Sequence, residues 1–369
     1  MSGAEVLKFT GLMDGTRLIR GKLEYAENGC IYEGEFDEQN KRSGFGSYIY
    51  GDGTKYEGEW QNDVQHGEGV MHFANGNVFK GIFVGGSMSE GELNLKNDNG
   101  STDLYQGQFQ NNKFHGNGKY AFNTENTVIY TGEWENGLRH GMGTVEYYNK
   151  EGELFEKYVG SWKQGRMEGK GIYHCSDKTV LEGTFQDNQI VQGKMVHGDG
   201  TKVFEGNFLN GMKHNGTLIK EGISRYIGEF KNDIAHGKGE LLLLMTGDRI
   251  IGNFENGMKN GECQIVYHNK DVFTGTFVDD CAEGYGELMY ANGSKYEGNW
   301  KMNKRHGHGV FYAADGTRYE GSYVNGRRHG QGKLFLPSGI MSCIFDDGKL
   351  KNIENFEFRS DSPWNDPSF

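Results

Sequence analysis

Six histidines recur immediately before glycines, and their imidazole groups are the first candidates for chemistry in this sequence, as metal ligands or as acid–base groups. They are His66, His115, His140, His236, His306 and His329. If each belongs to one repeated hairpin, neighbouring imidazoles lie roughly 9 to 10 Å apart, whereas ligands of one zinc ion lie within about 4 Å of each other. Glu168, Asn260 and Glu283 occupy the equivalent position elsewhere. We therefore predict hydrogen-bonding turn residues and no metal site.

Glycine pairs of the form Gly-x-Gly raise a second possibility, a loop that binds nucleotide phosphates. Such loops need a helix N-terminus after the glycines, and here the pattern predicts strands. No Lys-Ser or Lys-Thr completes a phosphate-binding loop, and no Ser, His and Asp stand apart from the repeated pattern. The sequence predicts no catalytic residue, no cofactor and no enzymatic activity.

The histidines belong to a longer unit that the chain repeats. Residues 296–309 return 23 positions later as 319–332, and the central glycine recurs in steps of 22 to 28 residues. Its thirteen positions are Gly34, Gly58, Gly81, Gly107, Gly132, Gly160, Gly183, Gly206, Gly228, Gly252, Gly275, Gly298 and Gly321. Self-similarity at this period indicates a repeat architecture, and weaker copies at 9–13 and 341–345 resemble its caps.

Each repeat is predicted to be one β-hairpin. In residues 56–60 the side chains alternate, so Tyr56, Gly58 and Trp60 share one face while Glu57 and Glu59 share the other. The glycine leaves room for a ring from a neighbouring strand.

Turn dipeptides separate the strands. Asp52-Gly53 and Asn136-Gly137 are examples of pairs suited to tight turns with positive φ. The predicted fold is all-β: an elongated, twisted, single-layer antiparallel sheet of stacked hairpins. We divide the chain into a lead-in (1–8), a repeat array (9–345, about thirteen clear repeats and one degenerate copy at each end) and a C-terminal tail (346–369).

Composition limits the classes of partner. The net charge of −12 disfavours nucleic acid and broad binding to anionic membranes. The five cysteines share no position in the repeat and form no Cys-x-x-Cys pair, which is typical of a reducing compartment. No signal peptide or membrane-spanning run is predicted, so any membrane contact would be peripheral.

Positive charge is concentrated in residues 295–333. This segment contains eight basic and three acidic residues, which gives a local charge of +5. One reading is solvated loop charges without a ligand. The other is an anionic-ligand patch formed by Lys301, Lys304, Arg305, Arg327 and Arg328.

The block Tyr-Glu-Gly-Glu-Trp, five or six residues, His-Gly-x-Gly, then an aromatic residue and Asp-Gly resembles the MORN-repeat family (membrane occupation and recognition nexus). Matches lie at 56–69, 130–143, 226–239, 296–309 and 319–332. The resemblance implies a twisted antiparallel sheet, frequent dimerisation, and a grooved aromatic face that accepts a partner helix. Carried over to this chain, the groove residues are Tyr56, Trp60, Tyr130, Trp134, Tyr158, Trp162, Tyr226, Phe230, Tyr296, Trp300, Tyr319 and Tyr323.

Two functions follow from this resemblance. The first is a non-enzymatic scaffold that binds other proteins along the aromatic groove and the sheet edges, in a ciliary or cortical cytoskeletal assembly of the cytoplasm, with a homodimer through 275–345. The alternative is a peripheral membrane adaptor that binds phosphoinositides through the basic patch.

Overall fold

The computed structural model of the protein describes residues 6–26, 28–123 and 127–360. These residues form thirty β-strands and no helix, so the predicted all-β class is confirmed. None of the described segments is a long apolar helix of the kind that crosses a membrane. The chain divides into two compact units, Met1–Ile190 and Val191–Phe369.

In the first unit each strand pairs antiparallel with the strand before it in the chain, up to β15. The strands are β1 (Val6–Asp14), β2 (Arg17–Tyr25), β3 (Ile31–Phe36), β4 (Arg42–Ile49), β5 (Lys55–Gln61), β6 (Val64–His72), β7 (Val78–Val84), β8 (Ser87–Lys96), β9 (Thr102–Gln110), β10 (Lys113–Asn123), β11 (Thr127–Glu135), β12 (Leu138–Tyr148), β13 (Leu154–Lys163), β14 (Arg166–His174) and β15 (Val180–Gln186). This is the predicted meander of hairpins.

The second unit repeats the arrangement, with antiparallel pairing of consecutive strands from β16 to β30. The strands are β16 (Gln189–Val196), β17 (Lys202–Leu209), β18 (Met212–Lys220), β19 (Ser224–Lys231), β20 (Ile234–Leu243), β21 (Arg249–Glu255), β22 (Met258–Val266), β23 (Val272–Val278), β24 (Cys281–Met289), β25 (Lys295–Lys301), β26 (Lys304–Tyr312), β27 (Arg318–Val324), β28 (Arg327–Leu336), β29 (Gly339–Asp346) and β30 (Lys349–Phe358).

A row of glycines crosses the strands of each unit in register. In the first unit Gly46 lies opposite Gly58, which lies opposite Gly69, and the row continues to Gly183. A Cβ atom on Gly58 would lie 2.5 Å from the Cα of Gly69 and 2.6 Å from the hydroxyl of Tyr56. The row is therefore occupied by glycine because a ring lies directly on the backbone there.

The ring over each glycine pair comes from the same strand, whereas the sequence analysis expected a ring from a neighbouring strand. Tyr56 lies two residues before Gly58, and its ring covers Gly58 and the facing Gly69. Two facing glycine backbones and one tyrosine ring therefore share the space that two Cβ atoms would fill.

Two kinds of turn connect the strands. In Asn136-Gly137 both residues have positive φ, 53° and 85°, as a two-residue hairpin turn requires. In Asp52-Gly53 only the glycine does, with φ 88°. Asp52 keeps an ordinary conformation, and its carboxylate accepts the N–H of Thr54 at 2.8 Å. The prediction of positive φ is therefore correct for both residues of the first turn type. In the second type, which is a longer turn, it is correct for the glycine and wrong for the aspartate.

A β-bulge follows the histidine of each complete repeat. In β12 the register changes between Gly132, opposite Gly143, and Glu133, opposite His140. The N–H of Met142 inside the bulge donates to the Glu133 carboxylate at 2.7 Å. Glu59 accepts the N–H of Glu68 in the same way at 3.2 Å. The second glutamate of Tyr-Glu-Gly-Glu-Trp thus stabilises the bulge. Its position on the face opposite the aromatic residues did not predict this role.

Two cysteines continue the glycine row of the second unit. Cys263 lies opposite Gly252 and Gly275, and Cys343 lies opposite Gly332. Both are buried, and both are free thiols. They hold different positions of the repeat, because Cys263 takes the second-strand place of Gly69 and Cys343 takes the first-strand place of Gly58. The interpretation that the cysteines share no repeat position therefore holds for this pair.

Strands extend past both predicted limits of the array. Val6–Lys8 belong to β1, and β30 covers residues 349–358 of the segment assigned to a tail. β30 pairs with β29, and the rings of Phe356 and Phe358 contact each other with centroids 4.7 Å apart. The remaining predictions for the lead-in (1–5) and the tail (361–369) concern residues outside the described ranges.

Candidate partner-binding surfaces

The aromatic residues of each repeat pack against their own hairpin. The hydroxyl of Tyr56 crosses the glycine row and donates to the carbonyl of Glu59 at 2.8 Å. Tyr130 makes the same bond to Glu133 at 2.9 Å, and Tyr226 to Glu229 at 3.1 Å. The ring is thereby fixed at both ends, and its polar atom is satisfied inside the core.

The tryptophans link each hairpin to the one before it. The indole Nε1 of Trp60 donates to the carbonyl of Gly46 at 3.1 Å, and Trp134 donates to Gly118 at 3.2 Å. The Trp60 ring also meets the Tyr32 ring of the preceding hairpin edge to face, with centroids 5.3 Å apart. Successive repeats are therefore joined by both hydrogen bonds and ring contacts.

These contacts alter the role of the predicted groove residues. Eleven of the twelve are buried, and Trp300 is half-buried. The buried ones are Tyr56, Trp60, Tyr130, Trp134, Tyr158, Trp162, Tyr226, Phe230, Tyr296, Tyr319 and Tyr323. Alternation predicted which face the rings occupy, but the surface of these eleven is already covered by the chain itself. They form the core, and only Trp300 offers a ring to a ligand.

Long side chains complete the cover over several of these rings. The Arg42 guanidinium lies 4.4 Å from the Trp60 ring centroid, and the Arg139 guanidinium lies 4.3 Å from that of Trp162. The equivalent residue beside Trp300 is Ala282, since Gly284 pairs with Trp300 as Gly44 pairs with Trp60. A cleft of about 530 Å³ opens at this place.

A larger cleft lies in the first unit, on the face that carries Glu57 and Glu59. Side-chain alternation predicted the polar side chains of this face but no cleft. The cleft measures about 1020 Å³. The glycine row forms its floor, with Gly58, Gly69, Gly81, Gly91 and Gly107 among the lining residues. The cleft spans β4 to β9, so its shape depends on the arrangement of six strands, which residue types alone do not encode.

The side chains around this cleft combine apolar surface with negative charge. Four carboxylates and one ammonium group line it, beside Phe45 (63% exposed) and Ile82 (38% exposed). The five charged residues are Glu57, Glu68, Lys80, Glu90 and Glu92. The Gln106 amide donates to the Glu92 carboxylate at 2.9 Å and, with the Asn94 amide, holds the pKa of Glu92 below its usual value. We call this surface the acidic cleft.

The second unit has two adjoining clefts on the corresponding face, of about 680 and 500 Å³. Both include Ile251 and Glu262. Tyr285, 64% exposed, lies in the larger one, and Ile227 lies in the smaller. Exposed apolar side chains beside glutamates therefore recur on this face in each unit.

Three of the five residues of the predicted anionic-ligand patch contact other side chains of the protein. Arg305 stacks on Tyr296 and Tyr323, with 5.4 and 5.3 Å to the ring centroids. The remaining arginines are engaged too: Arg328 stacks on Tyr319 at 4.4 Å, and Arg327 forms an ion pair with Asp347.

Two members of the patch remain available. Lys301 and Lys304 lie opposite each other at the end of the β25–β26 hairpin and are exposed. The five residues therefore do not form one uniform cationic surface.

The histidines lie in strands, directly before the bulge, rather than in turns. His140 Nδ1 is 3.2 Å from the Glu135 carboxylate, and His236 pairs with Glu229 across the hairpin. Across residues 6–26, 28–123 and 127–360 no group of three or more His, Cys, Asp or Glu side chains is arranged to hold a metal ion.

Comparison with known families finds the MORN repeat in ten segments that together cover more than half of the chain. They are residues 32–55, 56–78, 105–127, 130–151, 158–180, 226–242, 251–272, 273–295, 296–318 and 319–341.

Curated relatives match parts of the chain. Alsin of Homo sapiens is 30% identical over 162 residues, 44% of this chain and 9% of Alsin. MORN repeat-containing protein 3 of Xenopus laevis is 35% identical over 77 residues, 21% of this chain and 32% of that protein. The alignments thus span a third or less of either relative.

Among solved structures, the SAS-4 TCP domain of Drosophila melanogaster in complex with a proline-rich motif of Ana2 covers 50% of this chain and 83% of its own at 11% identity. Its TM-score of 0.25 is too low to support an inference.

Proposed function

Because this chain belongs to the MORN-repeat family, a family of repeat scaffolds, we propose that it is a non-enzymatic adaptor that binds another protein in the acidic cleft. The observation that carries this proposal is the cleft itself, in which four carboxylates and one ammonium surround exposed Phe45 and Ile82. Its matching partner is a protein segment with apolar side chains flanked by lysine or arginine. Apolar contact supplies affinity, and the charges set orientation and association rate.

The glycine floor supports this assignment. A Cβ atom on Gly58 would point at the Tyr56 ring, so on the cleft face the backbone of the row lies between the flanking carboxylates and can contact a partner segment. Glu68 and Glu90 both face Ile82 across neighbouring strands, which places two exposed negative charges beside one apolar contact point.

Site-specific photo-crosslinking in cells tests the proposal. A photoreactive phenylalanine analogue at Phe45 should capture a protein through a basic segment. The same analogue at Leu138, which is also exposed, should not capture it. Replacing Glu68 and Glu90 by lysine should abolish the crosslink, because the introduced positive charges repel the basic segment of the partner.

The matched control for charge is the pair Glu182→Lys and Glu205→Lys, exposed glutamates that do not line the acidic cleft. This variant should retain the crosslink. A crosslink that survives Glu68→Lys/Glu90→Lys, or that disappears equally in the control, contradicts the proposal.

A second candidate is a peripheral membrane adaptor, favoured by the exposed Lys301 and Lys304 pair. Two neighbouring ammonium groups would meet phosphoinositide phosphates. Flotation with vesicles that contain phosphatidylinositol 4,5-bisphosphate is the test, with Lys301→Glu/Lys304→Glu as the variant. Arg305 and Arg328 are left unchanged because they stack on core rings. Flotation that is equal for both proteins removes this candidate.

We further propose that the adaptor works at a ciliary or cortical cytoskeletal assembly in the cytoplasm, as a monomer or a homodimer. Imaging of a tagged chain against axonemal and cortical markers tests the place. Light scattering tests the dimer, and a mass equal to one chain at micromolar concentration excludes it.

A further inference from the structure

The cleft beside Trp300 lies where several other repeats carry a cationic side chain over an aromatic ring. In five repeats a cationic side chain lies over the aromatic residue of the next hairpin, at centroid distances from 4.3 to 5.5 Å. The pairs are Arg42 with Trp60, Arg139 with Trp162, Lys259 with Phe277, Arg305 with Tyr323, and Arg328 with Phe345. A favourable cation–π contact thus recurs at this position, while Gln65, Met167 and Ala235 hold the same position in other repeats.

Ala282 is the member of the series next to Trp300, as the strand register establishes. Gly44, two residues after Arg42, pairs with Trp60, and Gly284, two residues after Ala282, pairs with Trp300. A methyl group therefore stands where a guanidinium would lie. Trp300 is half-buried, whereas Trp60 and Trp162 are each 4% exposed.

Within the part of the chain that the structure describes, the two neighbouring cations are engaged elsewhere. Arg305 pairs with Trp300 across the β25–β26 hairpin, but its guanidinium stacks on Tyr296 and Tyr323. Lys259 lies over Phe277 and forms an ion pair with Asp280 at 2.6 Å. The cleft of about 530 Å³ remains, with Phe273, Phe277 and Trp300 in its walls.

The geometry points to a binding site for an arginine side chain of a partner protein, which stacks on Trp300 and replaces the arginine that this repeat lacks. The walls are preformed: the Phe273 and Trp300 rings meet edge to face at 4.9 Å, and the Trp300 indole is fixed by its bond to Gly286 at 3.1 Å.

The rim suits a guanidinium. Asp271 and Asn303 line the cleft. The Asn303 oxygen already accepts the N–H of Ala282 at 2.7 Å, and the Asp271 carboxylate accepts the N–H of Ala291 at 2.8 Å and the Asn269 amide at 3.0 Å. The remaining lone pairs of the Asp271 carboxylate can accept guanidinium N–H groups. Lys259 carries the one positive charge among the lining residues, and Asp280 already balances it. Asp271 therefore leaves the cleft with a net charge of −1. The site lies in the second unit and does not depend on the acidic cleft.

Tryptophan indole NMR on the full chain tests the inference. The probe is the peptide acetyl-Gly-Arg-Gly-amide, and the Trp300 signal is assigned with Trp300→Phe. The Trp300 indole signal should move and saturate, while the signals of Trp60 and Trp162 stay in place. The matched peptide with citrulline, which has the same shape and no charge, should bind about tenfold more weakly.

Ala282→Arg supplies the missing side chain within the chain. It should move the Trp300 signal in the same direction as the bound peptide and abolish peptide binding. Equal binding of the citrulline peptide, preferential binding of acetyl-Gly-Phe-Gly-amide, or no movement of the Trp300 signal overturns the assignment. Because the peptide titrations use the unaltered chain, these outcomes hold even if Ala282→Arg fails to fold.

Discussion

The hydroxyl of Tyr56 donates to the carbonyl oxygen of Glu59, three residues further along the same strand, at 2.8 Å. The bond is possible because Gly58 has no side chain and the bulge in β6 leaves this carbonyl free of its cross-strand partner. The hydrogen bond of this tyrosine thus depends on two features of its repeat, the glycine and the bulge.

Tyr56→Phe should lower the free energy of unfolding by about 1 kcal/mol, the usual contribution of one such hydrogen bond. Tyr56→Ala should lower it by about 3 to 5 kcal/mol, because it also empties the space above two glycines. Urea denaturation measures both. Tyr285→Phe, at a position 64% exposed, is the control and should change stability by less than about 0.5 kcal/mol. Equal losses for the two Tyr→Phe variants would contradict this account.

Gly58→Ala should destabilise the chain by about 3 kcal/mol or more, since the new methyl group meets the Gly69 backbone and the Tyr56 ring at 2.5 to 2.6 Å. Gly53→Ala offers a comparison that separates crowding from conformation. Gly53 has φ 88° and open space around its Cβ direction, so only backbone strain of about 1 kcal/mol remains. Thermal unfolding should rank the two variants in this order, and the reverse ranking would remove the steric explanation of the glycine row.

Alkaline pH should unfold the protein over a definite window. Burial raises the pKa of Tyr158, Tyr226 and Tyr319 to about 12. The unfolded chain releases these protons near pH 10 while the folded chain keeps them, so stability is complete below pH 10 and falls as pH rises from about 10 to about 12. Absorbance at 295 nm, which follows tyrosinate, should rise together with the loss of β-sheet circular dichroism. Ionisation of all tyrosines near pH 10 without unfolding would contradict the prediction.

Cys263 substitutes for the tyrosine that its repeat lacks. Ile250 occupies the tyrosine position, and the Cys263 thiol donates to the carbonyl of Asn253 at 3.4 Å, the carbonyl three residues after Ile250. Ile250→Tyr alone should be destabilising because its ring would meet the Cys263 side chain. Combined with Cys263→Gly, the ring gains the same space that Tyr56 uses. A double-mutant cycle should give a favourable coupling of about 1 to 3 kcal/mol, and strictly additive effects would contradict the substitution model.

The sequence predicted the fold because the repeat displays its period, alternation and turn residues in every copy. Tyr56, Gly58 and Trp60 do share a buried face, and Asn136-Gly137 does form the two-residue turn. The bulge after His140 was not predicted, since its signal is a shift between two paired strands and neither strand shows it alone.

The candidate surfaces were harder to predict, because side-chain type indicates a face but not what remains uncovered on it. Trp60 and Trp300 occupy equivalent positions of the motif, yet Trp60 is 4% exposed and Trp300 is half-buried. Arg42 lies over Trp60, and Ala282, eighteen residues before Trp300, holds the corresponding place. The acidic cleft draws Phe45, Glu68 and Glu90 from three strands, so no local pattern joined them. A repeat-by-repeat comparison of the residues at this position would have identified Ala235 and Ala282 as the two alanines.

The alignment of glycines from strand to strand limits how such a chain could have changed its length. Removing a single strand would reverse the direction of every strand that follows and separate each tyrosine from the glycine pair it covers. Gain or loss of a complete hairpin preserves both relationships. Gene duplication of whole units is therefore the route by which this array could lengthen without losing its packing.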